Sequence, residues 1–140
     1  MIPYQAKSNK LAGSNYKEVR ESAMFVFHKI ASKTKRKPYV RSAYFRENKK
    51  KQKIFFDYFW EHLFQKNPKE RMKRLKYFQA ALEVIAESRN HPIAEKNHYK
   101  KNETLYRFSG LTRDKSLFFV QIKKDEKTGK RYLMSCFPVE

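Results

Sequence analysis

The sequence predicts an α+β fold in which about three N-terminal helices precede a small antiparallel sheet of at least three strands. Two observations lead to this prediction. Apolar residues recur at helical spacing from about residue 16 to residue 90, and from residue 104 onward they recur at a spacing of two. A chain of 140 residues suits one domain with a usable core. We expect a single domain over residues 16–140, preceded by a flexible, polar tail of residues 1–15.

The first helix is predicted from about Tyr16 to Ser32, followed by a basic run over residues 33–38 that ends it. Within this run, Lys35 and Arg36 are candidates for contact with phosphates. The alternative is that the run is a solvated linker. The apolar stripe of this helix comprises Val19, Ala23, Phe27 and Ile30.

A second helix is predicted to begin near Ser42, with a basic front and an aromatic back. Its rings suit base stacking or core packing, and we favour the core because a small domain needs such volume to close. A third helix is expected to begin at Asn67-Pro68, an N-cap followed by a favourable first position, and to end near Asn90. The aromatic positions of the second helix are Phe55, Phe56, Phe59, Trp60 and Phe64.

Three strands are predicted after residue 103: Thr104–Phe108, Leu117–Lys123 and Arg131–Phe137. The second strand alternates, with Phe118, Val120 and Ile122 on one face. A polar loop that contains Gly129 joins the last two strands.

The composition indicates a polyanionic partner. The formal net charge is +19, and residues 1–90 hold 22 Lys and Arg against 8 Asp and Glu. Such a charge attracts nucleic acid, and we expect RNA rather than DNA, although a merely soluble surface is the alternative. The candidate nucleic-acid-binding residues are Lys35, Arg36, Lys49, Lys50, Lys51, Lys73, Arg74 and Lys76.

The chain gives no sign of metal, disulfide or membrane chemistry. Cys136 is its only cysteine, and it is expected to be a small buried hydrophobe rather than a nucleophile. The four histidines lack ligand spacing, so neither a metal nor another cofactor is expected. No apolar stretch approaches a membrane span, and the N-terminus has no signal core. We therefore expect a cytoplasmic protein with no membrane partner.

Polar residues on the predicted strands suggest phosphate chemistry. Cleavage of RNA without a metal needs a base for the 2′-hydroxyl proton, cations for the phosphate and an acid for the leaving oxygen. Arg107, Lys123 and Ser135 lie on the three strands, and His91 lies ahead of them. The alternative is that the strands of a basic protein carry Arg and Lys for no catalytic reason.

Residues 88–140 resemble the C-terminal sheet of the barnase/EndoU/colicin/RelE-like nuclease group, in its branch from phages and mobile elements. The similarity rests on three segments, Glu103–Phe108, Leu117–Lys123 and Lys130–Pro138. It implies metal-independent RNA cleavage of the toxin or effector type. In that scheme Arg107 binds phosphate, Ser135 is the hydroxyl of the late strand, His91 is an acid or base and Lys123 is an added cation.

The chain has no second catalytic histidine on the sheet, which leaves three hypotheses open. The first is an active RNA endonuclease. The second is a non-catalytic, nucleic-acid-binding accessory protein of a mobile element. The third is a protein whose basic face meets an acidic antitoxin or a ribosomal surface.

Overall fold

The computed structural model describes residues 1–139 and contains seven strands and four helices in that range. The strands are β1 (Tyr4–Gln5), β2 (Tyr39–Glu47), β3 (Lys50–Phe55), β4 (Ile93–Lys96), β5 (Glu103–Leu111), β6 (Leu117–Asp125) and β7 (Arg131–Pro138). The helices are α1 (Tyr16–Ser32), α2 (Phe59–Phe64), α3 (Pro68–Leu75) and α4 (Phe78–Glu87).

All seven strands join one mixed sheet in the order β1-β5-β6-β7-β3-β2, and β4 pairs with β5 beside β1. The pairs β4–β5, β5–β6, β6–β7 and β2–β3 are antiparallel. The pairs β1–β5 and β3–β7 are parallel. The predicted order of three helices followed by a small antiparallel sheet was therefore wrong, because strands flank α1 and the sheet is larger and mixed.

The error lies in residues 39–55, where a β-hairpin replaces most of the predicted second helix. Ser42, the predicted helix start, accepts hydrogen bonds from the backbone N–H groups of Tyr44 and Phe45 at 3.1 and 3.0 Å. The side chain of an N-cap residue binds backbone N–H groups two and three residues further along the chain, as Ser42 does. Here, however, those N–H groups are left out of the β2–β3 pairing by a register shift between Arg41 and Arg46. The Ser42 hydroxyl thus satisfies backbone N–H groups within a strand, and the predicted helix start at Ser42 was wrong.

A two-residue turn at Asn48 and Lys49 closes this hairpin, with φ values of 51° and 65°. Positive φ at both positions matches the twist of a hairpin, but Lys is strained there.

We expect Lys49→Gly to raise the free energy of unfolding by about 0.5–1 kcal/mol, since glycine adopts this conformation without steric cost. Urea denaturation measures the change. Lys127→Gly removes the same charge at a loop position whose own φ is not positive, and an equal gain there would contradict the explanation.

Several predicted elements are confirmed. Helix α1 has the predicted bounds, and the Asn15 side chain caps it by accepting from the N–H of Glu18 at 3.0 Å. The Asn67 side chain caps α3 by accepting from the N–H of Glu70 at 2.9 Å. The predicted third helix breaks after Leu75, however, and continues as α4. Strands β5, β6 and β7 contain the three predicted strands.

The sheet curls around α4, which is buried on nearly every side. Gly110 of β5 allows this approach, because a Cβ there would lie 2.9 Å from Cγ2 of Val84. Across the concave side, the Phe45 ring of β2 packs at 4.8 Å from Tyr106 and 5.9 Å from Phe108 of β5. The helices and this core occupy one face of the sheet, and the other face is open except beside β7, where the Arg74 side chain of α3 bonds the buried Ser135.

The N-terminal residues, predicted to be a flexible tail, contribute strand β1 and the buried side chains of Ala6 and Leu11. The Glu83 carboxylate of α4 accepts hydrogen bonds from the N–H of Lys7 at 2.8 Å and from the Ser8 hydroxyl at 2.8 Å. Burial alone would raise the pKa of Glu83, but the hydrogen bonds outweigh it and lower the pKa. Residues 4–11 are thus tied to α4 and β5.

Candidate nucleic-acid interface

We call the uncovered side of the sheet the open face; it carries Tyr39, Phe55, Tyr132, Gln121 and Arg107. The strand register defines it. Tyr39 pairs with Phe55, and Phe55 pairs with Tyr132. On the neighbouring strands, Arg107 pairs with Gln121, and Gln121 pairs with Ser135. Directly paired residues point to the same side of a sheet, so these side chains share one surface.

An aromatic row crosses one half of the open face. The Phe55 ring lies 6.1 Å from Tyr39 and 6.1 Å from Tyr132, measured between ring centroids. Tyr58, just after β3, extends the row at 4.9 Å from Tyr132. Burial, with Tyr58 and Asp57 nearby, raises the pKa of Tyr132, so its phenol stays neutral at physiological pH. The row offers stacking surfaces without adding negative charge.

Cations flank these rings. Lys53 Nζ lies 4.6 Å from the Tyr39 ring centroid, and the Arg41 guanidinium lies 5.5 Å from it. Lys123 Nζ lies 4.0 Å from the Tyr58 ring centroid and also forms an ion pair with Glu103 at 3.2 Å. Rings and cations held together in this way can bind bases and phosphates in alternation.

A concave basic groove of about 570 Å³ adjoins the row at Tyr39 and Phe55. Six Lys and Arg side chains line it, and its lining includes no Asp or Glu. The walls come from the loop between α1 and β2, from β3 and from the loop before β7. The lining residues are Lys33, Thr34, Lys35, Arg36, Lys37, Tyr39, Lys53, Phe55 and Lys130.

A second groove of about 360 Å³ follows the hairpin toward its turn and shares Lys53, Phe55 and Lys130 with the first. Lys50 and Lys51 line it, and Lys49 lies in the adjoining turn. Four of the predicted binding residues, Lys35, Arg36, Lys50 and Lys51, therefore line two connected grooves. The predicted site was a helical surface, but these residues lie on a loop and a hairpin.

The remaining predicted binding residues, Lys73, Arg74 and Lys76, lie on α3 or at its end, beside the free edge of β7. Arg74 spans this edge. Its carbonyl accepts from Sγ of the buried Cys136 at 3.4 Å, and its guanidinium donates to Oγ of Ser135 at 2.9 Å. Burial raises the pKa of Cys136 to about 12, as expected for a packed thiol rather than a nucleophile.

The structure brings three of the four candidate catalytic residues to the open face. Arg107 on β5 and Ser135 on β7 lie in one row with β6 between them, so their backbones are about 10 Å apart. The Arg107 and Arg74 guanidinium carbons lie 5.6 and 5.3 Å from the Phe137 ring centroid. Lys123 is two residues from Gln121 along β6 and shares its face.

His91 lies on the other side of the sheet. Its Nδ1 is 3.1 Å from the Tyr44 hydroxyl, and the Tyr44 ring packs at 5.5 Å on Phe108. Phe108 follows Arg107 directly, so it points to the opposite face of β5. A second histidine, His62, lies on α2. Burial, with the charges of Lys66 and Arg74, lowers the pKa of His62.

Sequence reasoning missed the aromatic row, together with Arg41 and Lys130. A signal was present, because Tyr39, Arg41, Lys53 and Phe55 alternate at a spacing of two along each strand. The helical spacing of Phe56, Phe59 and Trp60 that follows masked it. Only the parallel pairing of β3 with β7 places Tyr132 beside Phe55.

No protein-family model, curated protein or solved structure matches the chain. The resemblance to the nuclease group therefore stays a prediction. Within residues 1–139, no three His, Cys, Asp or Glu side chains are grouped closely enough to hold a metal ion. No helix in that range is both long and apolar enough to cross a membrane.

Proposed function

We propose that this protein binds single-stranded nucleic acid, RNA in preference to DNA, across the open face of its sheet. The observation that carries the proposal is the aromatic row Tyr39, Phe55, Tyr132 and Tyr58, which lies on the open face and among cations. Stacking on protein rings requires unpaired bases, which favours single strands over duplexes. The phenol tips of the tyrosines can bind the 2′-hydroxyl that distinguishes RNA.

The charge distribution supports the same proposal. The two grooves extend the row with lysines and arginines at the place where the backbone of a bound strand would lie. Contacts of this kind release counterions and supply affinity without regard to sequence. Binding is tested by fluorescence anisotropy with labelled oligouridine and oligothymidine, both bearing 5′-hydroxyl ends. If the protein binds neither oligonucleotide at low salt, the proposal is refuted.

Charge reversal at the hairpin tests the electrostatic part. We expect Lys50→Glu with Lys51→Glu to weaken oligouridine binding. The negative slope of log K against log salt should become shallower by about 0.7 for each lost phosphate contact. Both side chains are exposed, so the fold should persist. Lys17→Glu with Arg20→Glu makes the same charge change on the exposed surface of α1 and serves as the control. Equal effects of the two pairs would show that only the net charge matters.

A second candidate, metal-independent RNA cleavage, is favoured by one cluster. Arg107 and Arg74 meet over Phe137, and Arg74 holds the Ser135 hydroxyl. Paired guanidinium groups suit a phosphate whose charge is growing. Burial lowers the pKa of His62, which favours the neutral imidazole that a base requires. In this scheme His62 replaces His91 as the histidine.

Incubation of total RNA with the protein in excess chelator separates the two candidates. If cleavage occurs, Arg107→Ala should reduce its rate about 100- to 1000-fold, the usual cost of losing one donor to a developing oxyanion. His62→Ala should be comparably impaired, and His91→Ala should cleave normally. RNA that stays intact while oligouridine binding is retained would leave binding as the function.

A further inference from the structure

The basic groove beside Tyr39 and Phe55 carries more positive charge than an internal stretch of a nucleic acid strand can neutralise. Six cations line a space of about 570 Å³, within the range of about 300–1,000 Å³ typical of small-ligand sites. Lys37 is paired with Asp57 at 2.7 Å, and Asp57 is not itself part of the lining. Five further cations remain in the lining. Each phosphodiester of a bound strand brings only one negative charge.

The chemistry of the lining is that of a phosphate site next to a base site. Arg36 can hold two phosphate oxygens with parallel hydrogen bonds, and the lysines act as point charges. The rings of Tyr39 and Phe55 line the same groove, with centroids 6.1 Å apart. A ligand with a dense cluster of phosphates joined to a flat base matches this combination of cations and rings.

We infer that this groove binds the 5′-polyphosphate of a nucleotide and that its usual source is the 5′-triphosphate end of an RNA strand. A terminal phosphate carries about −1.5 to −2 charges near pH 7, and each further phosphate of the chain adds to it. The aromatic row continues from Phe55 to Tyr132 and Tyr58, so the bases after the first have a path along the open face. The assignment of the ligand to the end of an RNA strand rests on the proposed function, whereas the polyphosphate site itself does not.

Matched oligouridines that differ only at the 5′ end test the inference. We expect the 5′-triphosphate form to bind about tenfold more tightly than the 5′-hydroxyl form in anisotropy titrations at one salt concentration. Lys35→Ala with Arg36→Ala should weaken binding of both forms but weaken the 5′-triphosphate form more, so the ratio of the two affinities should fall toward one. Lys50→Ala with Lys51→Ala removes the same charge and should weaken both forms alike, so the ratio should persist.

The outcomes separate the two proposals. Equal binding of the two ends, or a preference that falls equally in both double variants, would overturn the inference and leave single-strand binding standing. If the protein bound neither oligonucleotide, the proposed function would be overturned.

A second experiment tests the source of the polyphosphate. It measures the thermal shift of the protein with free uridine triphosphate and with inorganic tripolyphosphate. Stabilisation by uridine triphosphate at the concentrations at which the triphosphorylated oligonucleotide binds would assign the groove to free nucleotides. Equal stabilisation by tripolyphosphate would contradict a role for the rings.

Discussion

Replacing Tyr132 with alanine is expected to weaken oligouridine binding about tenfold or more. Stacking of a base on a protein ring contributes about 1–3 kcal/mol, and each 1.4 kcal/mol corresponds to about a factor of ten in Kd. Tyr132 occupies the middle of the aromatic row, between Phe55 at 6.1 Å and Tyr58 at 4.9 Å. Its loss also removes one partner of Lys123, whose ammonium lies 5.7 Å from the Tyr132 ring centroid. Anisotropy titration measures the change.

Two controls make this prediction specific. Tyr132→Phe keeps the ring and removes only the hydroxyl, so it should retain most of the affinity that Tyr132→Ala loses. Tyr99→Ala removes a ring that is 97% exposed in a loop outside the row, and it should have no effect. Wild-type affinity in Tyr132→Ala, in a protein that melts normally, would exclude the row as the stacking surface. A defect in Tyr132→Phe as large as that in Tyr132→Ala would assign the effect to the hydroxyl.

Replacing Phe78 with alanine is expected to lower the free energy of unfolding by about 3–5 kcal/mol, the usual cost of deleting a buried phenyl ring. Phe78 begins α4 and is completely buried. Its ring packs 5.2 Å from Phe59, 5.5 Å from Trp60 and 6.3 Å from Phe56. The cavity would lie where α2 meets α4, and these rigid elements can close it only in part.

Urea denaturation followed by circular dichroism measures this loss. Phe25→Ala is the matched control, since its ring on α1 is 64% exposed and its centroid lies 4.4 Å from the ammonium of Lys29. That variant should change the free energy of unfolding by less than about 0.5 kcal/mol, as surface substitutions usually do. A similarly small loss in Phe78→Ala would mean that α4 is not the centre of the core.

The sequence alone determined the elements whose signals are local. Helix α1 follows from apolar spacing and the cap at Asn15, and α3 follows from the capping pair Asn67-Pro68. Strands β5, β6 and β7 follow from alternation and a polar hairpin loop, and the expectation of a polyanionic partner follows from the charge. Propensity, capping and side-chain period act over a few residues, so they can be read without knowing the partner strands.

Tertiary structure decided the site. The bulge at Ser42 and the turn at Asn48 turn a stretch with aromatic and basic residues into a hairpin, although the same residues could form one side of a helix. The parallel contact of β3 with β7 then places Phe55 beside Tyr132, 77 positions further along the chain. Such a pairing depends on how the curled sheet closes around α4, and no local pattern encodes it. The same closure directs His91 to the concave side of the sheet and leaves Arg107 on the open face.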